Sequence, residues 1–249
     1  MHLRDLTATG PPCLACHTPI AQPVSWRALL IPDKDKFCHA CRSQLCLLPE
    51  GCPGCSHPLL PQETSCYSCR KWDQSLHWRG LINQNVAIYP YNDFCRNLVA
   101  RWKYRGDAAI AEGFRPAFVK AYKRHFPDCL PVPIPLAPER LLERGFNQAE
   151  QLASFVGEPV NVLKRPEMAE KQSKTSYAGR LNGDSRPFVF DNHREFAIKD
   201  RHLLLIDDIY TTGATVRKAA RPLLEAGAAA VSALTLARAV KLADEGGFV

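Results

Sequence analysis

The sequence predicts an α/β protein: a parallel-sheet domain preceded by a small cysteine-rich, metal-binding module. Three observations carry this. Four C-x-x-C pairs crowd the chain before residue 70. Strand-like and helix-like segments then alternate after residue 200 in the order strand, helix, strand, which calls for a crossover and hence parallel strands. Between them, near residue 80, the composition changes: cysteines nearly vanish and longer periodic segments begin. The expected division is a module over 1–80 and a domain over 81–249.

The size suits that plan, since 249 residues hold one sizeable core and a small satellite. Hydrophobic residues at 46% and charged residues at 23% exclude a wholly disordered chain. A net charge of +7 permits phosphate or nucleic-acid ligands without requiring them. The segment from Met1 to Leu6 has no apolar run of the secretory kind, and no stretch approaches the ~20 apolar residues of a membrane helix. The expectation is a soluble, cytoplasmic protein with no membrane insertion.

Of eleven cysteines, eight form the pairs Cys13/Cys16, Cys38/Cys41, Cys52/Cys55 and Cys66/Cys69, leaving Cys46, Cys95 and Cys129 as singletons. Two thiolates on one tight knuckle occupy two corners of a Zn²⁺ tetrahedron, and two knuckles close a structural site. The count fits two structural Zn²⁺ ions. A disulfide scaffold would want an exported chain and an even count. A thioredoxin-like pair would be single, at the start of a helix in a βαβ unit. The string from Cys13 to His17 also matches C-x-x-C-H haem attachment, which needs export. Order along the chain favours one site of Cys13, Cys16, Cys38 and Cys41 and another of Cys52, Cys55, Cys66 and Cys69; a cross-braced pairing satisfies the spacing equally. His39 and His57, beside ligands, read as knuckle residues or outer-shell donors.

After residue 80, Val86–Tyr89 reads as a short strand. Phe94, Leu98, Val99 and Trp102 recur at helical spacing, as do Ile110, Phe114, Phe118 and Tyr122, predicting a helical hairpin. It carries Arg96, Arg101, Lys103, Arg105, Arg115, Lys120, Lys123 and Arg124, against only Asp107 and Glu112 between Cys95 and His125. Such a run is either a solvated face or a track for a phosphate-rich partner. Next come an extended segment at 131–135, a charged loop through Arg140, Arg144 and Gly145, and a helix over 147–155. Val160 and Val162 suggest a further strand, 164–187 a long loop, and Phe188–Phe190 an edge strand. Leu203–Ile206 is a buried strand, Thr215–Ala226 a helix and Val231–Leu236 the last strand.

The sharpest chemical signal spans Leu203 to Thr215, LLLIDDIYTTGAT. A buried strand runs into two adjacent carboxylates and then a Thr-Thr-Gly-x-Thr turn that opens a helix. Gly213 lets the backbone approach a ligand with no Cβ in the way. The N–H groups of Thr211, Thr212, Gly213, Ala214 and Thr215 are expected to face one concavity, where the helix dipole favours an anion and the threonine hydroxyls add donors. Asp207 and Asp208 stand at the carboxyl end of the strand, where ligands of open α/β sheets bind. As acceptors they suit the vicinal hydroxyls of a sugar. A phosphate cradle beside diol acceptors reads as a ribose 5-phosphate pocket, and the string has neither the G-K-[ST] of a P-loop nor the G-x-G-x-x-G of a Rossmann turn.

This string resembles the 5-phosphoribosyl 1-diphosphate (PRPP) loop of type I phosphoribosyltransferases. Val132–Pro135, then Arg140, then the RGFNQ run from Arg144 to Gln148, resembles the signature of the ComF/GntX family. So do Lys103–Gly106 and the N-terminal double zinc ribbon, and the resemblance covers nearly the whole chain. One stretch departs from the family pattern: Gln172, Arg180 and Phe188 align, but Thr175 and Gly183 stand where Leu and Asn are usual, with Asn182 one place early.

The resemblance implies a type I phosphoribosyltransferase-like domain and a bacterial role in natural competence, DNA uptake or DNA utilisation. It also implies Mg²⁺ bound with PRPP. An enzyme of this kind displaces pyrophosphate from C1 of PRPP. Asp207 and Asp208 would hold the ribose hydroxyls and the 211–215 loop the 5-phosphate. Arg140 or Arg144, with Lys103 or Arg105, would clamp the leaving group. No residue identifies a base or an acceptor amine. The other class is a binding protein, holding PRPP or another phosphoribosyl ligand while the ribbons and the basic hairpin contact single-stranded DNA, a helicase or another DNA-uptake protein. Tyr67, Trp72 and Trp78 either stack on bases or, the preferred reading, pack the ribbon onto the core.

Overall fold

The computed structural model describes residues 9–21, 35–104, 106–166 and 187–240. Strands β1 (Thr9–Pro12) and β2 (Pro19–Ala21) pair antiparallel around the first cysteine knuckle. The second knuckle opens helix α1 (His39–Gln44), with Cys38 at its N-cap, and the fourth opens α2 (Tyr67–Gln74), with Cys66 at its N-cap. Then follow β3 (Asn85–Pro90), α3 (Asp93–Tyr104), α4 (Ala111–His125) and β4 (Leu130–Pro133). Helices α5 (Pro138–Arg144) and α6 (Gln148–Ala153) lead to β5 (Leu163–Lys164) and β6 (Val189–Phe190). The chain closes on β7 (His202–Tyr210), α7 (Ala214–Glu225) and β8 (Ala230–Arg238).

The central sheet has four strands in the order β3-β8-β7-β4, all parallel, as the sequence predicts. Leu203 to Ile206 in the middle of it are fully buried, the pattern of a parallel strand covered on both faces. Alternation along β7 and β8 then sorts their side chains. Leu204, Ile206, Leu234 and Leu236 share a core with α3, α4, α6 and the first cysteine cluster. Leu203, Leu205, Val231 and Ala233 share another with α7 and the second cluster. The two cysteine knuckle pairs therefore pack on opposite faces of one sheet.

Docking of the first cluster is specific. Phe37 lies edge-on to Phe114 at 5.4 Å, and Arg101 of α3 donates to the carbonyls of Leu14 (3.1 Å) and Ala15 while pairing with Asp107 at 2.8 Å. The expected helical hairpin is present as α3 and α4.

Three segments differ from the sequence expectation. Residues 138–144 form a helix rather than a charged loop: Pro138 sits at its start with φ already helical, and Gly145 ends it in the left-handed region at φ 76°. The strand expected at Val160 and Val162 starts only at Leu163. Val160 spends its N–H on the Pro131 carbonyl (2.9 Å), and Val162 turns back onto Val160 (3.0 Å), so no ladder can run there. Short helices follow the second and fourth knuckles. Residues 167–186, most of the expected long loop, lie outside the described residues, and Gln172, Thr175, Arg180, Asn182 and Gly183 with them.

Gly113 in α4 faces Phe37 so closely that a Cβ there would overlap the ring. Alanine is the better helix former by about 1 kcal/mol, but overpacking a filled core costs about 1–3 kcal/mol. Gly113→Ala should therefore lower the Tm in thermal denaturation, and Phe37→Leu in the same background should restore part of it. A Tm at or above wild type would show that the ring gives way.

Candidate functional site

The cysteines assemble as the chain order suggested. The sulfurs of Cys13, Cys16, Cys38 and Cys41 lie within 4.8 Å of one another, and so do those of Cys52, Cys55, Cys66 and Cys69. The cross-braced pairing is excluded. Cys16 and Cys38 stand 3.7 Å apart, and Cys55 and Cys66 3.5 Å, close to the ~3.8 Å edge of a tetrahedron with 2.3 Å Zn–S bonds. Backbone N–H groups point at sulfur, Cys38 to Cys13 Sγ at 3.2 Å and Cys66 to Cys52 Sγ at 3.4 Å, which suits thiolates. Each quartet has the donor set and shape of a closed structural zinc site, and together they fit a double zinc ribbon.

At the carboxyl end of the central strands, β7 continues through Asp207 and Asp208 to Tyr210, and the chain turns at 211–213 into α7. Lys103, at the last turn of α3, forms an ion pair with Asp208, and both side chains are only 14% exposed. Asp207 accepts the N–H of Asp208 through Oδ1 at 2.9 Å. One ammonium thus serves two carboxylates. Burial and the neighbouring Asp208 charge push Asp207 up to about 8, so near neutral pH it keeps its proton and can donate as well as accept.

Gly213 caps α7 at φ 83°, in the left-handed region. A Cβ here would meet the Tyr210 hydroxyl and the Arg217 guanidinium. The glycine is thus required by the turn's own packing, beyond any ligand's need for space. Of the five N–H groups expected in the cradle, that of Ala214 is taken by Thr212 Oγ1 at 3.3 Å.

Beneath the turn lies a polar scaffold that the sequence reading passed over. Arg217 donates to the Tyr210 hydroxyl (3.0 Å) and the Gly213 carbonyl (3.3 Å). Arg238, 3% exposed, donates to the carbonyls of Tyr210 (3.2 Å), Thr211 (2.6 Å) and Ala239 (2.6 Å). Trp72 Nε1 donates to the Thr212 carbonyl at 2.8 Å, and the Arg217 guanidinium lies 4.6 Å from its ring. Trp78 packs edge-on to Trp72 at 5.8 Å, so these two aromatics pack the ribbon, as preferred; Tyr67 is exposed. Arg238 had a visible signal: a cation at the end of the apolar run Val231–Ala237.

The remaining predicted residues divide. Arg144 lies over the Tyr104 ring at 5.0 Å and donates to its hydroxyl (3.3 Å) and to Gln148 (3.1 Å), which brings it beside Lys103. Arg140 is exposed on α5, and Arg105 lies outside the described residues. The hairpin's positive charge is largely engaged: Arg96 pairs with Asp93, Arg115 with Glu112 and Arg124 with Glu50. Lys120 and Lys123 remain exposed.

The raised Asp207 pKa predicts a pH dependence. Below the unfolded value of 3.8 both states are protonated and Asp207 costs nothing. As pH rises toward 8 the unfolded chain releases the proton while the folded chain keeps it, so stability falls across that window. Asp207→Asn retains the acceptor for the Asp208 N–H and removes the slope. It should be more stable than wild type at pH 9, by at least about 1.4 kcal/mol (the worth of one pKa unit), and gain little at pH 4. Parallel melting curves at the two pH values measure this; an equal gain at both would contradict the assignment.

Comparison with known proteins agrees with both halves. Residues 142–245 match the phosphoribosyl transferase domain family. The chain is 40% identical over 231 residues to Competence protein ComFC of Bacillus subtilis (strain 168), covering 91% of this chain and 94% of that protein. It is 31% identical over 230 residues to Competence protein ComFC of Streptococcus pneumoniae (strain ATCC BAA-255 / R6), covering 91% and 99%. To DNA utilization protein YhgH of Escherichia coli (strain K12) it is 26% identical over 196 residues, covering 75% and 83%. Identity of the first kind, sustained along nearly the full length of both chains, takes in the cysteine module and the α/β domain together, and the chain belongs to the ComFC family of competence proteins.

Proposed function

We propose that this protein binds PRPP, or another ribose 5-phosphate compound, at 207–215 and acts in the cytoplasm in DNA uptake or DNA utilisation. The observation that carries the ligand is the junction of β7 and α7. An Asp pair, a left-handed glycine and a helix N-terminus there follow one another at the carboxyl end of a central parallel strand. The names of the relatives, competence and DNA utilization, support the role. Eleven free cysteines, eight of them in two zinc-shaped quartets, suit a reducing compartment. No helix among the described residues is long and apolar enough to cross a membrane.

In this reading the N–H groups of the turn hold the 5-phosphate. Asp207 and Asp208 take the ribose hydroxyls, with Asp207 switching between donor and acceptor as it titrates. Lys103 neutralises Asp208, and Asp207 releases its proton only as a cation comes in with the ligand. Mg²⁺ entering with PRPP would supply that charge and offset the pyrophosphate. Lys103, in the last turn of α3, and Arg144, which ends α5 and bonds to the Tyr104 hydroxyl, are the cations this reading assigns to the diphosphate. A transferase would in addition need an acceptor.

Calorimetric titration with PRPP and Mg²⁺ tests the site. Asp207→Asn with Asp208→Asn should weaken binding at least about tenfold, since a hydrogen bond to a charged group is worth about 1.5–3 kcal/mol. If wild type binds neither PRPP nor ribose 5-phosphate, the reading is wrong. Sustained pyrophosphate release with an added amine or base would make the protein a transferase.

Contact with single-stranded DNA draws on a second observation. A groove of about 400 Å³ runs between the 47–53 segment, β3 and α4, with Lys120, Arg124 and His125 along it. If this groove tracks phosphates, Lys120→Ala with Arg124→Ala should reduce the slope of log K against log salt by about 1.4, or 0.7 per lost contact. An unchanged slope would leave the hairpin a solvated face.

A further inference from the structure

We propose that the second cysteine cluster is part of the phosphate site: with its metal bound, it orients the loop's N–H groups through Arg238 and Trp72. The inference rests on the phosphoribosyl reading of 207–215 and adds a regulator to it, the metal state of Cys52, Cys55, Cys66 and Cys69.

The peptide plane supplies the first argument. In a trans peptide the carbonyl of one residue and the N–H of the next point in opposite directions. Arg238 holds the carbonyls of Tyr210 and Thr211, and Trp72 holds that of Thr212. Those three bonds fix the N–H groups of Thr211, Thr212 and Gly213 toward the other side of the turn. Both clamps come from the second cluster's side. Trp72 lies three residues beyond Cys69 on α2, the helix that Cys66 caps, and Arg238 Nη2 stands 3.7 Å from Cys55 Sγ.

Charge supplies the second. A buried guanidinium needs an anion, yet the carbonyls that Arg238 touches are neutral. Four thiolates around Zn²⁺ carry a net charge of −2, and Cys55 presents that charge directly to Arg238. Metal binding therefore completes the pair that holds the loop. Arg217 extends the same stack, lying over Trp72 and bonding to Tyr210 and Gly213. Among the described residues the first cluster has no such connection: it packs on the opposite face, where Arg101 ties it to α3.

Hydrogen–deuterium exchange of the full-length protein, with zinc content measured on the same samples, tests the coupling without any ligand. Trp72→Phe keeps the ring under Arg217 and removes only the N–H donor. It should retain two zinc ions, exchange the amides of 211–213 about three- to tenfold faster, and bind PRPP with Mg²⁺ weaker by a similar factor. Cys66→Ser with Cys69→Ser should retain one zinc and loosen the loop further. Cys16→Ser with Cys38→Ser should retain one zinc and leave the loop as in wild type. Wild-type exchange at 211–213 in both Trp72→Phe and the Cys66/Cys69 variant would overturn the proposal, as would equal acceleration in the Cys16/Cys38 variant. Failure of wild type to bind PRPP would count against the ligand alone, because the exchange comparison stands without it.

Discussion

The structure is organised by a single constraint, the pairing of β7 and β8 as two nine-residue parallel strands buried on both faces. A parallel pair cannot close through a tight turn, so α7 must cross between them. Its N-terminus is thereby delivered to the carboxyl end of β7. Neither face of the pair can be left to water, because Leu203 to Ile206 are apolar on both sides and Val231 to Ala237 are fully or almost fully buried. The helices alone do not provide all the cover. The cysteine module completes it, one cluster per face.

That division explains why two similar clusters have different surroundings. The first anchors to α3 and α4 through Phe37 and Arg101. The second lies on the face that carries α7, and so comes up beneath the 211–213 turn. Two cations, Arg217 and Arg238, are buried at this junction. Burying a charge is costly unless partners surround it, and here the partners are the loop carbonyls, aromatic faces and a cysteine sulfur. The polar scaffold makes the turn specific in shape, which an apolar filler would not.

The Asp pair is subject to the same economy of charge. Two adjacent carboxylates at a strand end repel each other, and one lysine relieves only part of it. Asp207 responds by holding a proton. With Asp207 neutral, Asp208 and Lys103 are left as a balanced, half-buried pair.

Much of this was legible in the sequence because it depends on local pattern. C-x-x-C spacing sets how two thiolates share a knuckle. The apolar run ending in Asp207 and Asp208 sets a buried strand with polar ends, and Thr-Thr-Gly sets a turn before a helix. The charged segment 138–144 was missed as a helix because its polar composition hid the Pro start and Gly stop. What only the tertiary structure decided is which distant groups meet. Spacing could not choose between sequential and cross-braced cysteine pairs, since both leave each knuckle intact; the three-dimensional path of the chain chose the first. Likewise, Trp72, Arg217 and Arg238 are ordinary residues in one dimension. They become the frame of the 211–213 turn only because parallel pairing places Arg238, at the end of β8, level with Tyr210 at the end of β7, with the second cluster beside them.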